Sequence, residues 1–221
     1  MSIAQNIQDI TNLLPEEVTL VAVSKTKPVE TLLEAYKAGQ RHFGENKVQE
    51  MNEKQEALPA DIHWHLIGHL QSNKVKFIAP YVHLIHSVDS LKLLQEIDKQ
   101  AKKNQRIIDC LLQFHIAEEE TKFGLSIQEA EELISSQAYA ELKNVRIVGI
   151  MGMATFTEDQ QQIRKEFRQL KQYFEHIKTN HFASSPYFIE ISMGMSSDYT
   201  IALEEGSTMI RVGSLLFGAR L

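Results

Sequence analysis

The sequence predicts a single (β/α)8 TIM barrel that extends over residues 1–221. Short apolar runs alternate with longer amphipathic segments along the whole chain, which is the pattern of repeated βα units. There are eight such apolar runs, and a chain of 221 residues lies within the size range of an α/β barrel. An open, doubly wound sheet is the alternative, although neither of the usual nucleotide-binding glycine loops occurs in the sequence.

The predicted elements follow one another in a regular order. An opening helix is predicted from apolar residues that are spaced by three or four and so share one face: Ile3, Ile7, Ile10 and Leu14. The strands are predicted at residues 19–24, 41–44, 63–67, 84–87, 107–114, 145–151, 187–191 and 209–212. The clearest helical stripes between them are Leu91, Leu94, Ile97 and Ala101, and then Ile163, Phe167, Leu170, Phe174 and Ile177.

Composition and charge exclude several classes of function. The formal net charge is -6, from 23 Lys and Arg against 29 Asp and Glu, so a phosphate backbone would be repelled and an anionic ligand would need a local cationic pocket. The single cysteine, Cys110, cannot form an internal disulfide. The start MSIAQNIQDI does not resemble a signal peptide, and no apolar run approaches the roughly 20 residues of a membrane span, so we expect a cytoplasmic protein.

The first strand ends in the sequence VAVSKTKP, which contains a candidate reactive lysine. If Val21 and Val23 point into the barrel, alternation makes Lys25 the next inward side chain, at the barrel mouth. Lys27 has the same parity but precedes Pro28 and lies beyond the strand. Partial burial lowers the proton affinity of a lysine, and its neutral amine can then form a Schiff base with an aldehyde. The alternative is an ordinary solvated lysine.

Two later segments combine small and hydroxyl residues at predicted strand ends. SMGMSSD places Ser196 and Ser197 before a helical run, and MIRVGS places Gly213 and Ser214 after the last strand. Backbone N–H groups at helix starts bind phosphate, and the loops after strands seven and eight are a common phosphate site in these barrels. Helix capping is the alternative explanation for these residues.

Arg211 shares parity with Met209 and Gly213, so it is predicted to face inward, where it needs an anionic or acceptor partner. A buried ion pair with a carboxylate is the alternative for this residue. Taken together, an inward lysine, a phosphate-binding rim and an inward arginine predict a site for pyridoxal 5′-phosphate (PLP).

Histidines offer a rival prediction. His63 and His65 form an H-x-H pair, His86 lies near the end of the fourth strand, and His115 follows the fifth. This pattern is similar to the ligands of a metal-dependent barrel hydrolase. Against it, His63 and His65 fall early in their strand rather than at its rim, and nine histidines in one chain make chance adjacency common.

The sequence resembles the YggS/PROSC family of PLP-binding homeostasis proteins, which is related in fold to the barrel domain of alanine racemase. The resemblance extends from about Val21 to Arg220. It depends on eight ordered motifs: VAVSKTKP, AGQRHFGENKVQE, WHLIGHLQSNK, HSVDS, EETKFGL, VGIMGMATF, SMGMSSD and GSTMIRVGSLLFGAR.

The resemblance implies a role for each matched residue. Lys25 would hold PLP as a Schiff base, Asn46 would line the pocket, and Arg211 would face the pyridine nitrogen, where a permanent positive charge discourages ring protonation and mutes amino-acid chemistry. Met151 would pack against the ring region. The phosphate contacts would come from Ser196, Ser197, Gly213 and Ser214. Two positions depart from the family pattern, namely His115 and Lys47.

The resemblance also implies a function. We expect a carrier that stores PLP, supplies it to apo-enzymes and limits the free aldehyde, without strong turnover. The alternative is a small PLP-dependent racemase, but racemisation needs a base on each face of the substrate, and alanine racemase takes its second base from an appended domain that we expect this chain to lack. We expect a monomer.

Overall fold

The computed structural model describes residues 2–118 and 123–218. Eight parallel strands close into a barrel in chain order, which confirms the predicted fold and excludes the open sheet. Closure is made by the pairing of the first strand with the last, with Val21 opposite Arg211. The strands are β1 Thr19–Val23, β2 His42–Glu45, β3 His63–Leu66, β4 Leu84–Val88, β5 Ile108–Phe114, β6 Val145–Gly152, β7 Glu190–Ser192 and β8 Met209–Val212.

Helices pack around the barrel. They are α1 Ile3–Thr11, α2 Val29–Lys37, α3 Val48–Ala57, α4 Val75–Ile78, α5 Leu91–Lys103, α6 Ile127–Ser135, α7 Gln137–Ala140, α8 Gln160–His181, α9 Tyr199–Glu204 and α10 Ser214–Phe217. The α8 stripe is confirmed because all five of its predicted residues are buried, and in the α5 stripe Leu94, Ile97 and Ala101 are buried while Leu91 is partly buried. The first turns of α5 and α8 are capped by the side chains of Ser90 and Asp159, as helix starts require. Among the described residues, no helix has the length and apolar character that a bilayer span needs.

Seven of the eight strands differ from the prediction at one or both ends, most of them by one residue, and only β8 agrees at both ends. The largest difference is in β7, and the one in β6 matters for the site described below. Strand β7 begins at Glu190 rather than at residue 187, since Tyr187 and Ile189 are more than half exposed and Phe188 stacks on Phe182 in the outer layer at a centroid distance of 4.5 Å. An apolar run therefore does not pair along its full length. Strand β6 continues to Gly152, one residue beyond the predicted end.

The barrel interior has an apolar part and a polar part. The apolar part is a cluster of buried side chains: Val21, Leu84, Leu111, Val148, Met151 and Met209. In the polar part, His86 on β4 lies 3.0 Å from the hydroxyl of Ser192 on β7. Because β4 and β7 are not neighbours in the sheet, this hydrogen bond crosses the interior. The barrel core therefore contains a polar contact that connects β4 with β7.

Candidate functional site

A cavity of about 510 Å³ lies at the carboxyl ends of the strands. Its walls come from the ends of β1, β2, β3, β6, β7 and β8. The predicted site residues that line it are Lys25, Asn46, Ser196, Ser197, Arg211, Gly213 and Ser214. The lining residues that the sequence did not single out include Ile67, Met153, Phe156, Met195 and Leu215. The cavity lies where the chemistry of α/β barrels is found.

Lys25 lies directly beyond β1 and is half-buried at the cavity wall. The residue before it, Ser24, donates its hydroxyl to Oε1 of Glu45 at 2.6 Å, while its carbonyl accepts from Nζ of Lys54 at 2.8 Å. The residue after it, Thr26, has a φ of 66° and donates its N–H to Oε1 of Glu50. A non-glycine residue in this region is uncommon and needs support from its surroundings. Both neighbours of Lys25 are therefore held by one polar network.

That network is built on a buried ion pair. Nζ of Lys54 lies 2.7 Å from carboxylate oxygens of both Glu45 and Glu50, and the Lys54 and Glu45 side chains are almost fully buried. Burial raises the pKa of Glu45, and the hydrogen bonds from Lys54 and Ser24 oppose that rise. Sequence reasoning missed these residues because Lys54 lies in a polar helical segment that looks solvated.

Lys27 also lines the cavity but is engaged elsewhere. Its Nζ donates to the carbonyls of Phe217 and Gly218, at 3.0 and 3.3 Å, which lie at the end of α10. Carbonyls at a helix end are natural acceptors for a cation. The geometry therefore separates the two lysines: Lys27 is held at the end of α10, and Lys25, directly beyond β1, stays the residue predicted for covalent chemistry.

Arg211 is buried at the base of the cavity. Its guanidinium donates to Oγ of Ser192 at 2.5 Å and to the carbonyl of Gly152 at 3.1 Å. Burial lowers its pKa to about 10, against a smaller opposing effect of Asp198, so the group remains charged at neutral pH. No carboxylate of the described residues is within salt-bridge distance of Arg211, so the geometry does not support the alternative of a buried ion pair.

The part of the cavity wall that follows β7 and β8, next to the end of β1, carries hydroxyls and backbone N–H groups. Gly213 donates its N–H to Oγ of Ser196 at 3.2 Å, which joins the loops after β7 and β8. The N–H groups of Ser214 and Leu215 open α10 and therefore have no acceptor within that helix. A side chain at position 213 would come within 3.1 Å of the carbonyl of Val23, so glycine permits the close approach of these two strands.

The charge of the cavity differs in sign from that of the chain. Lys25, Lys27 and Arg211 line it, and no carboxylate does so among the described residues. The protein as a whole has a formal net charge of -6. The structure thus contains the local cationic pocket that an anionic ligand would need.

The structure does not bring Met151 to the cavity. Its side chain is fully buried in the apolar cluster of the barrel interior, and Met153 lines the cavity instead. The reason is that β6 extends to Gly152, which leaves Met151 inside the strand and Met153 at the rim. His115 and Lys47, the two positions at which the sequence departs from the family pattern, are also not among the described residues that line the cavity. Part of the motif EETKFGL, and the end of GSTMIRVGSLLFGAR, lie outside the described residues.

The histidines predicted for a hydrolase do not gather at this rim. His63 opens β3 and His65 is fully buried inside the barrel. Ring nitrogens of His65 and His86 lie 2.9 Å apart, and His86 contacts Ser192 rather than His115. The pKa of His86 is held well below its usual value by burial and by the charge of Arg211, so the ring is neutral. The geometry therefore does not favour a metal-dependent hydrolase at the cavity.

Comparison with known proteins places this barrel among its relatives. The family model described as "Alanine racemase, N-terminal domain" matches residues 1–221. A pyridoxal phosphate homeostasis protein of Aquifex aeolicus is 41% identical over 202 residues, covering 91% of this chain and 86% of the relative. The protein of that name from Escherichia coli K12 is 38% identical, with 93% and 87% covered.

A solved structure matches over nearly the whole chain. PipY of Synechococcus elongatus PCC7942, determined with PLP bound, is 37% identical and superposes with a TM-score of 0.89, covering 98% of this chain and all of PipY. The chain belongs to the alanine racemase N-terminal domain family and, within it, to the group of pyridoxal phosphate homeostasis proteins.

Proposed function

We propose that this protein binds PLP in the cavity at the carboxyl ends of the strands and acts as a carrier that stores it and supplies it to apo-enzymes. The observation that supports this most directly is the arrangement of charge: a lysine amine, a buried guanidinium and a rim of backbone donors surround one cavity without a carboxylate among its described lining residues. PLP is anionic at its phosphate and carries an aldehyde that amines attack.

The residues present fit this group. A volume of about 510 Å³ lies within the range of small-molecule sites. Ser196, Ser197 and Ser214 would bind the phosphate together with Gly213, whose missing side chain leaves room between β1 and β8. Lys25 would bond to the aldehyde carbon. Bound there, PLP supplies a reversible amine acceptor and an aromatic ring that withdraws electrons.

Arg211 would set the electronic character of the bound ring. Its pKa of about 10 keeps it protonated at pH 7, so it can donate a hydrogen bond to the ring nitrogen but cannot accept one from it. A ring nitrogen without its proton withdraws electrons less strongly. Arg211 therefore favours holding PLP over reactions at the carbon atoms of a bound amino acid.

The cavity lining also supports a carrier over a racemase. Racemisation needs one base on each face of the substrate carbon. Among the described lining residues, proton-accepting side chains are restricted to Lys25 and Lys27, and no Tyr, His, Cys or carboxylate is present. Since Lys27 is tied to two carbonyls at the end of α10, the described part of the lining holds no second base in position.

The covalent part of the proposal is tested by borohydride reduction followed by peptide mapping. We expect the purified protein to be yellow and the phosphopyridoxyl label to be found on Lys25. Lys25→Ala should abolish both the colour and the label, and Lys27→Ala serves as the matched control that should retain them. Recovery of the label on Lys27 alone would overturn the assignment.

The carrier role is tested by mixing the PLP-loaded protein with an apo-transaminase and following the regained activity. The same protein is assayed alone with alanine, serine and glutamate for racemisation or transamination. We expect reactivation of the apo-enzyme without sustained turnover of the free amino acids. Robust multiple turnover would favour the racemase-like enzyme, and failure to reactivate any apo-enzyme would remove the supply role.

A further inference from the structure

Three histidines meet at the end of the barrel opposite the cavity. His42 opens β2, His63 opens β3, and His83 directly precedes β4, so neighbouring strands deliver one imidazole each to the amino end. Ring nitrogens from all three lie within 4.8 Å of one another. We define these residues as the amino-end triad. The cavity and its proposed function do not use it.

The spacing of the amino-end triad suits a metal ion. Nδ1 of His63 lies 3.3 Å from Nε2 of His42. Two nitrogens bound to one tetrahedral zinc at about 2.0–2.1 Å are separated by about 3.3 Å, so these two already have the spacing of ligands on one ion. His83 needs only a ring adjustment, because it is exposed and stacks on His63 at a centroid distance of 4.4 Å.

The ring nitrogen of His42 that faces away from the other two triad histidines is already hydrogen-bonded, as is usual for a metal-bound histidine. Nδ1 of His42 lies 2.9 Å from Nε2 of His65, which is fully buried. A metal-bound histidine usually donates its second N–H to a neighbouring acceptor, which fixes its tautomer and orientation. If His42 donates from Nδ1, its Nε2 carries the lone pair that faces the other two rings. The exposed rings of His63 and His83 leave a fourth position open to water.

The hydrogen bond of His42 starts a chain that reaches the base of the cavity. Nδ1 of His65 lies 2.9 Å from Nε2 of His86, and Nδ1 of His86 lies 3.0 Å from Oγ of Ser192. Oγ of Ser192 also accepts from Arg211. We define His42, His65, His86 and Ser192 as the imidazole chain. Its members span the barrel interior from the amino end to Arg211.

The imidazole chain has two possible proton orders. A neutral imidazole has one N–H and one lone pair, so each ring donates on one side and accepts on the other. In one order every ring donates from Nδ1, and Ser192 accepts from His86. In the other every ring donates from Nε2, and Ser192 donates to His86. A metal on Nε2 of His42 is compatible with the first order alone.

We propose that His42, His63 and His83 bind one divalent transition-metal ion of the zinc class at the amino end of the barrel, and that the bound ion sets the proton order of the imidazole chain as far as Ser192. The chemistry favours zinc over magnesium or calcium, because the donors are imidazole nitrogens rather than oxygens. Each neutral imidazole lone pair replaces one water molecule of the hydrated ion, so binding releases water and involves no change of oxidation state. The ion would thus decide whether the hydroxyl of Ser192 accepts a hydrogen bond from His86 or donates one to it. Ser192 is also the hydrogen-bond partner of Arg211 at the base of the cavity.

Calorimetric titration with Zn²⁺ tests the site on the full chain after removal of metal with a chelator. We expect one ion per chain, with affinity reduced at least about ten-fold in both His63→Ala and His83→Ala, since each loses one ligand. Both side chains are exposed, so folding should survive, and circular dichroism checks this. His69→Ala is the control, because His69 is exposed and outside the triad. No uptake of Zn²⁺, or uptake that the two triad variants leave unchanged, would overturn the site.

Nitrogen-15 NMR of the histidine rings tests the link to the imidazole chain. In the zinc-loaded protein, His65 and His86 should carry hydrogen on Nδ1 and none on Nε2. Loading with Mg²⁺ in place of zinc should leave the ring signals as they are in the metal-free protein. A hydrogen on Nε2 of either ring in the zinc-loaded protein would overturn the proposed order.

Discussion

Nζ of Lys54 on α3 lies 2.7 Å from Oε1 of Glu45 at the end of β2, and almost nothing of either side chain is exposed to solvent. The same ammonium group bonds to the carbonyl of Ser24, the residue before Lys25. An ion pair that is buried in this way tolerates the loss of one partner poorly, because the other charge is left without compensation. The pair therefore connects the stability of the fold to the position of the lysine that we propose to hold PLP.

Lys54→Met should lower the free energy of unfolding by about 3–5 kcal/mol, as expected when one partner of a buried pair is removed. Urea unfolding measures this. Lys99→Met is the matched control, since Lys99 pairs with Glu96 on the surface of α5 at 3.3 Å and should change stability by at most about 1 kcal/mol. The double variant Glu45→Gln/Lys54→Met should recover part of the loss. No recovery would mean that the buried charge is not the cause.

Arg211→Glu should alter the absorption spectrum of bound PLP and weaken its retention, because the ring nitrogen would then face a group that stabilises its protonated form. Arg211→Gln, which removes the charge without introducing another, should give a smaller change in the same direction. Arg146→Gln is the control, since Arg146 pairs with Asp109 at 2.6 Å. Spectra and retention identical to those of the unsubstituted protein would show that Arg211 has a structural role only.

His86 should make the protein less stable in acid. Burial, and then the charge of Arg211, hold its folded-state pKa well below the value of about 6.5 expected in the unfolded chain. Below about pH 6.5 the unfolded chain binds a proton that the folded protein refuses, so stability is full above this pH and falls as the pH decreases. Between pH 7.5 and 5.5 this loss amounts to about 1.4 kcal/mol for one fully buried histidine.

The measurement compares urea unfolding of the metal-free protein and of His86→Gln at these two pH values. The variant should lose about 1.4 kcal/mol less than the unsubstituted protein over this interval. His176→Gln removes an exposed histidine of α8 and is the control. An equal pH dependence for His86→Gln and the unsubstituted protein would contradict the neutral state of the buried ring.

Gly149→Ala should disrupt the pairing of β6 with β7. A Cβ atom at this position would lie 1.8 Å from the carbonyl oxygen of Glu190, which is backbone and cannot rotate away. Overpacking of this kind costs about 1–3 kcal/mol, and more where the backbone must move. Thermal unfolding should show a clear fall in the midpoint. A midpoint equal to that of the unsubstituted protein would mean that the two strands separate without cost.

Local patterns were sufficient for the barrel and for much of the cavity. Apolar runs and helical stripes depend only on residues that are close together in the sequence. These patterns predicted the closed barrel that the structure shows. Strand parity and strand ends then indicated Lys25, Arg211 and Gly213, because in a parallel barrel all carboxyl ends open on one rim. The resemblance to a known family added Asn46 to the rim. Met151 was predicted at the cavity but lies inside the barrel, because the sequence does not locate the end of a strand to within one residue.

The sequence by itself determined the order of strands and helices and the residue types available at the rim. Only the tertiary structure decided which distant side chains share the interior: it joined Lys54 to Glu45, and it aligned His42, His65 and His86 with Ser192 across the barrel. The physical reason is that the period of a strand specifies the face on which a side chain lies. The partner across a closed barrel depends on the stagger of all eight strands at once, and no local pattern carries that information.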